Sequence, residues 1–297
     1  SSICSQRCCF DQHCFLFTEA WTMKAVAVYE VKPRRRTSSM FLVAALLAAC
    51  HIAAKFDASG TFVSATRKAF TRRSSASSVA SSAAGDRANS GKVVLWLHGL
   101  GDTGAGWEGV FSPYVAGVEF YHPTAPTRGV TCNGGMFMTS WFDIESIPVG
   151  LSEPESPKDM DVTVSSVHKT LADFELNGIA ASNVVLGGFS QGGAVSLLAG
   201  LSYPKTLGGV VSISGWCVNR KDVGSWISEA GKETPVLMCC GDGDPVVDFS
   251  ITRKSADLIQ AVLGNRLEVL CPKRSMHQPD QSEILAVVQF LQKFQKA

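Results

Sequence analysis

The sequence predicts an α/β fold, in which a mostly parallel central sheet carries helices on both faces. Two observations from residue 91 onward support this. Short runs of β-branched and apolar residues alternate with longer segments of helical periodicity, which is typical of parallel strands joined by crossover helices. The predicted strands are also almost continuously apolar, as expected for a sheet with both faces covered.

The predicted strands, in chain order, are 93–98, 118–122, 183–189, 209–214, 236–240 and 267–270. Helical periodicity covers 161–177, 192–201, 251–263 and 281–296. The stretch 123–150 is rich in apolar side chains but too irregular for a predicted strand. These elements form one domain, 91–297, without internal repeats.

Residues 1–90 are predicted to be a targeting or disordered extension. They carry 12 basic and 5 acidic residues, against 15 and 21 in the rest of the chain. Residues 40–54 have the length and flanks of a signal-peptide hydrophobic region, and the Ser- and Ala-rich segment 55–90 has transit-peptide composition. In combination the two segments resemble the address of proteins sent to plastids bounded by extra membranes.

Two other locations stay open. The tetrapeptide at 47–50 resembles a bacterial lipoprotein cleavage box, which would make Cys50 a lipidated anchor. A cytoplasmic location is the remaining alternative. The apolar run is shorter than the roughly 20 residues that span a bilayer, so no transmembrane span is expected in the mature protein.

Charge and cysteine content argue against several protein classes. The formal net charge of +1 gives no reason to expect a nucleic-acid partner. The ten cysteines contain no C-x-x-C spacing, so neither a zinc module nor a disulfide scaffold is expected. The cysteines after residue 91 are predicted to be free thiols, mostly buried in apolar runs: Cys132, Cys217, Cys239, Cys240 and Cys271.

The strongest local motif is the G-x-S-x-G pentapeptide at 188–192, which directly follows a predicted strand and directly precedes a predicted helix. A sharp turn between the two elements needs small flanking residues. It lifts the hydroxyl of Ser190 above the edge of the sheet and aims a helix N-terminus at it. Ser190 is therefore predicted to be a nucleophile.

A serine nucleophile needs a base, and the base needs an acid to orient it. His277 is the one histidine that follows Ser190 in the chain, and it comes shortly after the last predicted strand. The acid is expected after the strand 236–240, where Asp242 and Asp244 are both candidates. Turn chemistry alone does not choose between them, because Asp is favoured throughout such turns.

The glycine-rich loop at 98–104 admits two interpretations. It contains G-x-G-x-x-G, which raises a dinucleotide-binding hypothesis, but Glu119 opens the second strand instead of ending it, as ribose binding would require. In a serine hydrolase the same loop supplies a backbone N–H, here from Leu100. Together with the N–H of Gln191, it would hold the oxyanion as it forms.

The apolar stretch after the second strand is predicted to line a substrate channel, since loops that expose apolar surface beside a nucleophile commonly do so. A flexible Met and Phe lining suits a chain-like acyl group. The predicted lining residues are Met136, Phe137, Met138, Trp141 and Phe142.

Five blocks in order resemble the acyl-protein thioesterase, lysophospholipase and carboxylesterase family of small α/β-hydrolases. They are WLHGLGDTGAGW, PTAPTRGVTCNGGMFMTSWFDI, LGGFSQGGAVSLL, GDGDPVV and SMH, and the similarity covers about 92–294. The resemblance implies a triad of Ser190, Asp244 and His277 and an oxyanion hole from the main chain of Leu100 and Gln191. It also implies no large cap domain and no metal or organic cofactor. Cys240 stands where the family often has histidine.

The substrates that this resemblance implies are S-acylated proteins, first of all palmitoylated ones. Lysophospholipids and small carboxylic esters are the alternatives. The competing hypothesis from another class is a ligand-binding protein with the hydrolase fold and negligible turnover. A peptidase would need a pocket for peptide side chains, which the Met-rich stretch does not suggest. The oligomeric state stays open.

Overall fold

The computed structural model describes residues 91–273 and 276–297. The predictions made for residues 1–90, including the signal-like and transit-like segments and Cys50, lie outside this range. Among the described residues, no helix is both long and apolar enough to cross a membrane.

A six-stranded parallel sheet forms the centre of the fold, in the order β2-β1-β5-β6-β7-β8. Its strands are β1 (Lys92–Leu97), β2 (Val118–Tyr121), β5 (Val184–Phe189), β6 (Gly209–Ile213), β7 (Val236–Cys239) and β8 (Leu267–Leu270). All six were predicted from the sequence, with bounds that differ by one residue at most. The order reverses at β1, and in open parallel sheets ligands bind beyond the carboxyl ends of the strands at such a point.

Both faces of the sheet are buried, as the apolar strands predict. Alternate residues of β1 enter opposite cores, with Leu95 on one face and Trp96 on the other. This alternation follows from the two-residue period of a strand. A parallel sheet packed on both sides is a rigid base for the loops at its carboxyl edge.

Within the described residues, six α-helices connect or cover the strands. They are α1 (Met160–Leu176), α2 (Gln191–Ser202), α3 (Val223–Trp226), α4 (Glu229–Lys232), α5 (Phe249–Leu263) and α6 (Gln281–Lys296). Helices α1, α2 and α5 pack on one face, whereas α6 packs on the other with Trp107 and Phe111. The four long helices were predicted, and the single-turn helices α3 and α4 were not. A capping box made by Asp280 and Glu283 fixes the start of α6.

The stretch 123–150 contains a β-hairpin, so the prediction that it holds no strand was wrong. Strands β3 (Thr127–Val130) and β4 (Met136–Thr139) pair antiparallel and form a separate two-stranded sheet. The connecting turn ends in Gly134 and Gly135, both with positive φ, a conformation that glycine adopts without steric cost. Each strand has only four residues, which is why alternation of apolar and polar residues is hard to detect there.

Candidate active site

Ser190 forms the whole connection between β5 and α2. Its backbone has φ 53° and ψ −119°, a combination that is rare for any residue other than glycine. Such a conformation costs on the order of 1–3 kcal/mol and persists only where the surroundings hold it. Here the Ser190 N–H donates to the carbonyl of Ile213 at 2.8 Å, and the Ala194 N–H donates to the Ser190 carbonyl at 3.0 Å. The turn is therefore fixed by β6 on one side and by α2 on the other.

The two glycines of the pentapeptide are required by close packing. A Cβ on Gly188 would lie 2.4 Å from the carbonyl of Gly192, and a Cβ on Gly192 would lie 2.3 Å from the carbonyl oxygen of Leu97. Real Cβ atoms essentially never approach that closely. The sequence G-x-S-x-G is thus the one that lets β1, β5 and α2 converge behind Ser190.

His277 and Asp244 lie together beside this turn. The Nδ1 atom of His277 is 2.8 Å from Oδ2 of Asp244. The other carboxylate oxygen accepts the backbone N–H groups of Val246 and Val247 at 2.8 and 2.9 Å. The Asp244 side chain is 2% exposed, and that of His277 is 19% exposed. Asp244 is therefore the carboxylate that pairs with His277, whereas Asp242 lies on the exposed part of the same turn.

The pKa of the Asp244 carboxyl lies below its ordinary value. Burial alone would raise this pKa. The hydrogen bond and charge of His277 and the two backbone N–H groups outweigh burial, because all of them favour the ionised form. Asp244 is consequently an ionised carboxylate that accepts a hydrogen bond from Nδ1–H of the imidazole, and Nε2 is the ring nitrogen that does not contact it.

Phe189 links the histidine to the serine. Its ring centroid lies 4.9 Å from that of His277, and Phe189 is the residue directly before Ser190. The loops that follow β5, β7 and β8 therefore bring Ser190, Asp244 and His277 to one edge of the sheet.

The loop after β1 passes directly beside Ser190. A Cβ on Gly99 would lie 3.5 Å from the Cβ of Ser190. The next glycine, Gly101, has φ +78° and donates its N–H to the carbonyl of Thr139 at 2.8 Å. Leu100 lies between these two glycines, and Gln191 is the first residue of α2, where backbone N–H groups lack helical partners. Both predicted oxyanion donors thus flank Ser190.

The third glycine of this loop serves packing. A Cβ on Gly104 would lie 1.8 Å from the carbonyl oxygen of His122, so the loop is pressed against the end of β2. The segment that follows is a short 3-10 turn, Gly104–Trp107, instead of the long helix that a dinucleotide pyrophosphate would need. The local structure does not favour the dinucleotide hypothesis.

The side chain of Gln191 joins the nucleophile turn to the segment after β4. Its Oε1 accepts the Trp141 N–H at 2.9 Å, and its Nε2 donates to Ser140 Oγ at 2.9 Å and to the Phe142 carbonyl at 2.7 Å. The indole N–H of Trp141 in turn donates to the carbonyl of His98 at 2.8 Å. This connection between the start of α2 and the loop after β1 was not predicted, because the sequence suggests a role only for the backbone N–H of Gln191.

His98 is a buried histidine that supports the same loop. Its Nδ1 lies 2.7 Å from the Gly99 carbonyl, and its Nε2 accepts the Ala125 N–H at 2.9 Å. The two contacts require the neutral Nδ1–H tautomer. Burial lowers the pKa of His98, and the hydrogen bond to Gly99 and the charge of Asp102 oppose that shift only in part.

The five predicted lining residues fall into two groups. Met136 and Phe137 are 54% and 76% exposed on the hairpin, and Met138 faces the loop after β1 with its sulfur 3.9 Å from the position of a Cβ on Gly101. Trp141 and Phe142 are buried in the core and are not on the exposed face of the hairpin. Apolar content alone did not distinguish lining from core in this segment.

The prediction of free thiols was wrong for two of the five cysteines. Cys240 and Cys271 form a disulfide with a Cα–Cα distance of 4.9 Å. Cys132, Cys217 and Cys239 are free, and the latter two are buried. Burial raises the pKa of the Cys217 thiol to about 12, so it stays protonated.

Comparison with known proteins identifies the family. Residues 80–295 match the family described as phospholipase/carboxylesterase. The chain belongs to this family. A probable carboxylesterase of Oryza sativa subsp. japonica is 39% identical over 171 residues, which cover 56% of this chain and 64% of the rice protein. An acyl-protein thioesterase 1 of Mycosarcoma maydis is 33% identical over 217 residues, which cover 68% and 90% of the two chains.

Solved structures agree with this family assignment. The crystal structure of SOBER1 of Arabidopsis thaliana superposes with a TM-score of 0.65 at 30% identity, and covers 68% of this chain and 98% of that one. Acyl-protein thioesterase 2 of Zea mays gives a TM-score of 0.60 at 25% identity, over 69% and 94%. The predicted fold class and family are confirmed, and ester or thioester hydrolysis is the class of activity that the family supports.

Proposed function

We propose that this phospholipase/carboxylesterase family member is a serine hydrolase that removes long acyl chains from S-acylated proteins. The observation that carries the proposal is the 2.8 Å contact between His277 Nδ1 and Asp244 Oδ2 beside the strained Ser190 turn. Nucleophile, base and acid are the three groups that acyl transfer by a serine requires.

In the proposed reaction, Nε2 of His277 takes the proton of Ser190 Oγ as the oxygen attacks the acyl carbonyl. The buried carboxylate of Asp244 holds the imidazole in the required tautomer and stabilises the imidazolium that forms. The imidazolium then gives its proton to the leaving cysteine thiolate. In the second half, the same nitrogen activates water, which releases the fatty acid from Ser190.

The tetrahedral intermediate carries a negative oxygen that needs fixed hydrogen-bond donors. The backbone N–H of Leu100, in the loop after β1, and that of Gln191, at the start of α2, flank Ser190, and the Gln191 and Trp141 side chains tie these two segments together. Loss of one such donor typically costs about 3 kcal/mol of transition-state stabilisation. Both proposed donors are backbone N–H groups that would bind the carbonyl oxygen of the substrate. Esters and thioesters both carry this oxygen, so the oxyanion hole can accept either substrate.

The hairpin supports an acyl substrate. Met136 and Phe137 expose apolar surface, and the carbonyl of Thr139 on the same hairpin accepts the N–H of Gly101 in the oxyanion loop. An alkyl chain bound against these side chains would lie beside the reacting carbonyl. The relatives named acyl-protein thioesterase support a protein substrate, and the relatives named carboxylesterase support oxygen esters as the second candidate.

The test compares three substrates with the full chain: a palmitoyl-cysteine thioester peptide, the matched palmitoyl oxygen ester and a short acyl ester. We expect the highest kcat/KM with the long thioester, and hydrolysis at the background rate in Ser190→Ala. Ser165→Ala, an exposed serine on α1, is the matched control and should keep full activity. Preference for a short oxygen ester would instead make the protein a carboxylesterase. Turnover that does not depend on Ser190 would favour a ligand-binding protein.

A further inference from the structure

The disulfide joins the two loops that carry the acid and the base. Strands β7 and β8 are parallel neighbours, and their register pairs Cys239 with Leu270. The next residue on each strand is a cysteine, and the Cys240 N–H donates to the Leu270 carbonyl at 3.0 Å. The ladder therefore sets Cys240 and Cys271 opposite one another where both strands end.

Each cysteine directly precedes a loop of the site. Asp244 follows Cys240 by four residues, and His277 follows Cys271 by six. The acid turn is also held by a segment outside the disulfide, since the Val149 N–H donates to the Val246 carbonyl at 2.8 Å and the Asp248 N–H donates to the Val149 carbonyl at 2.9 Å. Within the turn, the backbone N–H groups at 246 and 247 orient the Asp244 carboxylate. We call residues 271–273 and 276–280 the base loop.

The base loop is held at both ends. The disulfide fixes its beginning, and the Asp280 cap of α6 fixes its end. Between them, His277 contacts Asp244 through Nδ1 and Phe189 through its ring. If the base loop were released at its first residue, Cys271, its movement would shift the imidazole of His277 away from the carboxylate of Asp244, which would stay in place.

We propose that Cys240 and Cys271 are positioning residues of the reaction, whose disulfide holds His277 against Asp244, so that reduction lowers turnover. The inference rests on the proposed function, because it assigns catalysis to that pair. A displacement of about 1 Å at a reacting group can cost about 100-fold in rate. We therefore expect reduction to lower kcat by about tenfold or more and to leave KM within about twofold.

The chemistry is thiol–disulfide exchange with a dithiol reductant. A thiolate of the reductant attacks Sγ of Cys271, which is half-buried, and the buried Cys240 leaves as a thiolate and takes up a proton. The second thiol of the reductant then attacks the mixed disulfide and releases the Cys271 thiol. The chain gains two electrons and two protons, and the reductant becomes a cyclic disulfide.

The experiment measures the full chain before and after treatment with dithiothreitol, with peptide masses to verify the crosslink. The substrate is an oxygen ester, because the reductant itself would cleave a thioester. Cys240→Ser/Cys271→Ser should match the reduced protein and be indifferent to the reductant. Cys217→Ser, a buried cysteine outside the pair, should respond as the wild type does. Reoxidation should restore kcat in the wild type and in Cys217→Ser, and should leave kcat of the double variant unchanged.

A second readout does not depend on turnover. A histidine Nδ1 proton shared with a carboxylate gives a strongly downfield proton resonance, which Asp244→Asn should remove. We expect this resonance in the oxidised protein and its loss on reduction, with the fold intact by circular dichroism. Equal kcat and an unchanged resonance in the two redox states would overturn the proposal, as would free thiols at both positions in protein purified in air. Absence of Ser190-dependent turnover would instead refute the proposed function, and the resonance would still decide the positioning role.

Discussion

Replacing Gln191 with alanine removes the side chain of this residue and keeps its backbone N–H. The amide is fully buried and makes three hydrogen bonds of 2.7–2.9 Å to consecutive residues after β4. Each bond is worth about 1 kcal/mol net, and a partner left unpaired in the interior costs about 1–3 kcal/mol. We therefore expect the free energy of unfolding to fall by about 3–5 kcal/mol, measured by urea denaturation followed by tryptophan fluorescence.

The same variant should lose activity although no reacting group is deleted. The loop after β1 and the start of α2, which carry the two proposed oxyanion donors, would no longer be tied together. We therefore expect kcat to fall by at least about tenfold, less than the roughly 100-fold or more for a deleted donor. Gln191→Glu keeps the shape but places an oxygen against the Phe142 carbonyl, and should also be destabilised. Gln289→Ala, an exposed glutamine on α6, should change stability by less than about 0.5 kcal/mol. A loss below about 1 kcal/mol with unchanged kcat in Gln191→Ala would refute this account of the side chain.

Three further predictions concern the same site. Gly192→Ala should lower the free energy of unfolding, measured in a thermal scan, by about 1–3 kcal/mol or more, since its Cβ would lie 2.3 Å from a backbone oxygen. The control Gly150→Ala places its Cβ in open space, so its free energy of unfolding should stay within about 0.5 kcal/mol of the wild type. Trp141→Phe loses the indole donor and keeps the ring, so we expect about 1 kcal/mol less stability and a lower kcat at unchanged KM in steady-state kinetics. The pKa of His98 in the folded protein lies below its ordinary value of 6.5, so the unfolded chain binds a proton first as the pH falls. The stability contributed by neutral His98 is thus fully present above pH 6.5 and is lost as the pH drops through the folded pKa. Urea denaturation between pH 7.5 and 5 should show this fall in the free energy of unfolding, and His98→Gln should make that free energy less dependent on pH.

The sheet could be predicted from the sequence, as could the candidates for nucleophile and base, because their signals are local. The strand β5, the pentapeptide around Ser190 and the helix α2 occupy one continuous segment, and the glycines there are the residues that the turn requires. His277 could be assigned because chain order left a single candidate after Ser190. The choice between Asp242 and Asp244 needed the resemblance, since both stand in one turn and only the fold shows which carboxylate meets the imidazole.

The remaining features depend on contacts between distant segments. Cys240 and Cys271 are 31 residues apart, and their pairing follows from the parallel register of β7 and β8, which no spacing rule reveals. Trp141 was predicted to line a channel, because an apolar residue in an irregular stretch carries no mark of whether it faces ligand or core. The hairpin did carry a signal, the Asn-Gly-Gly sequence at 133–135 between two short runs, which predicts a turn between strands.

The order of strands in the sheet predicts which part of the protein opens first on mild heating. Ser190 follows β5, which lies inside the sheet between β1 and β6, whereas the base loop follows β8 at the edge. Interior strands open only with the whole domain, and edge segments open locally at lower free energy. Amide protons around His277 should therefore exchange with deuterium well before those of β5. Warming would then separate base from nucleophile while most of the sheet is still protected, so that activity fades reversibly below the melting temperature.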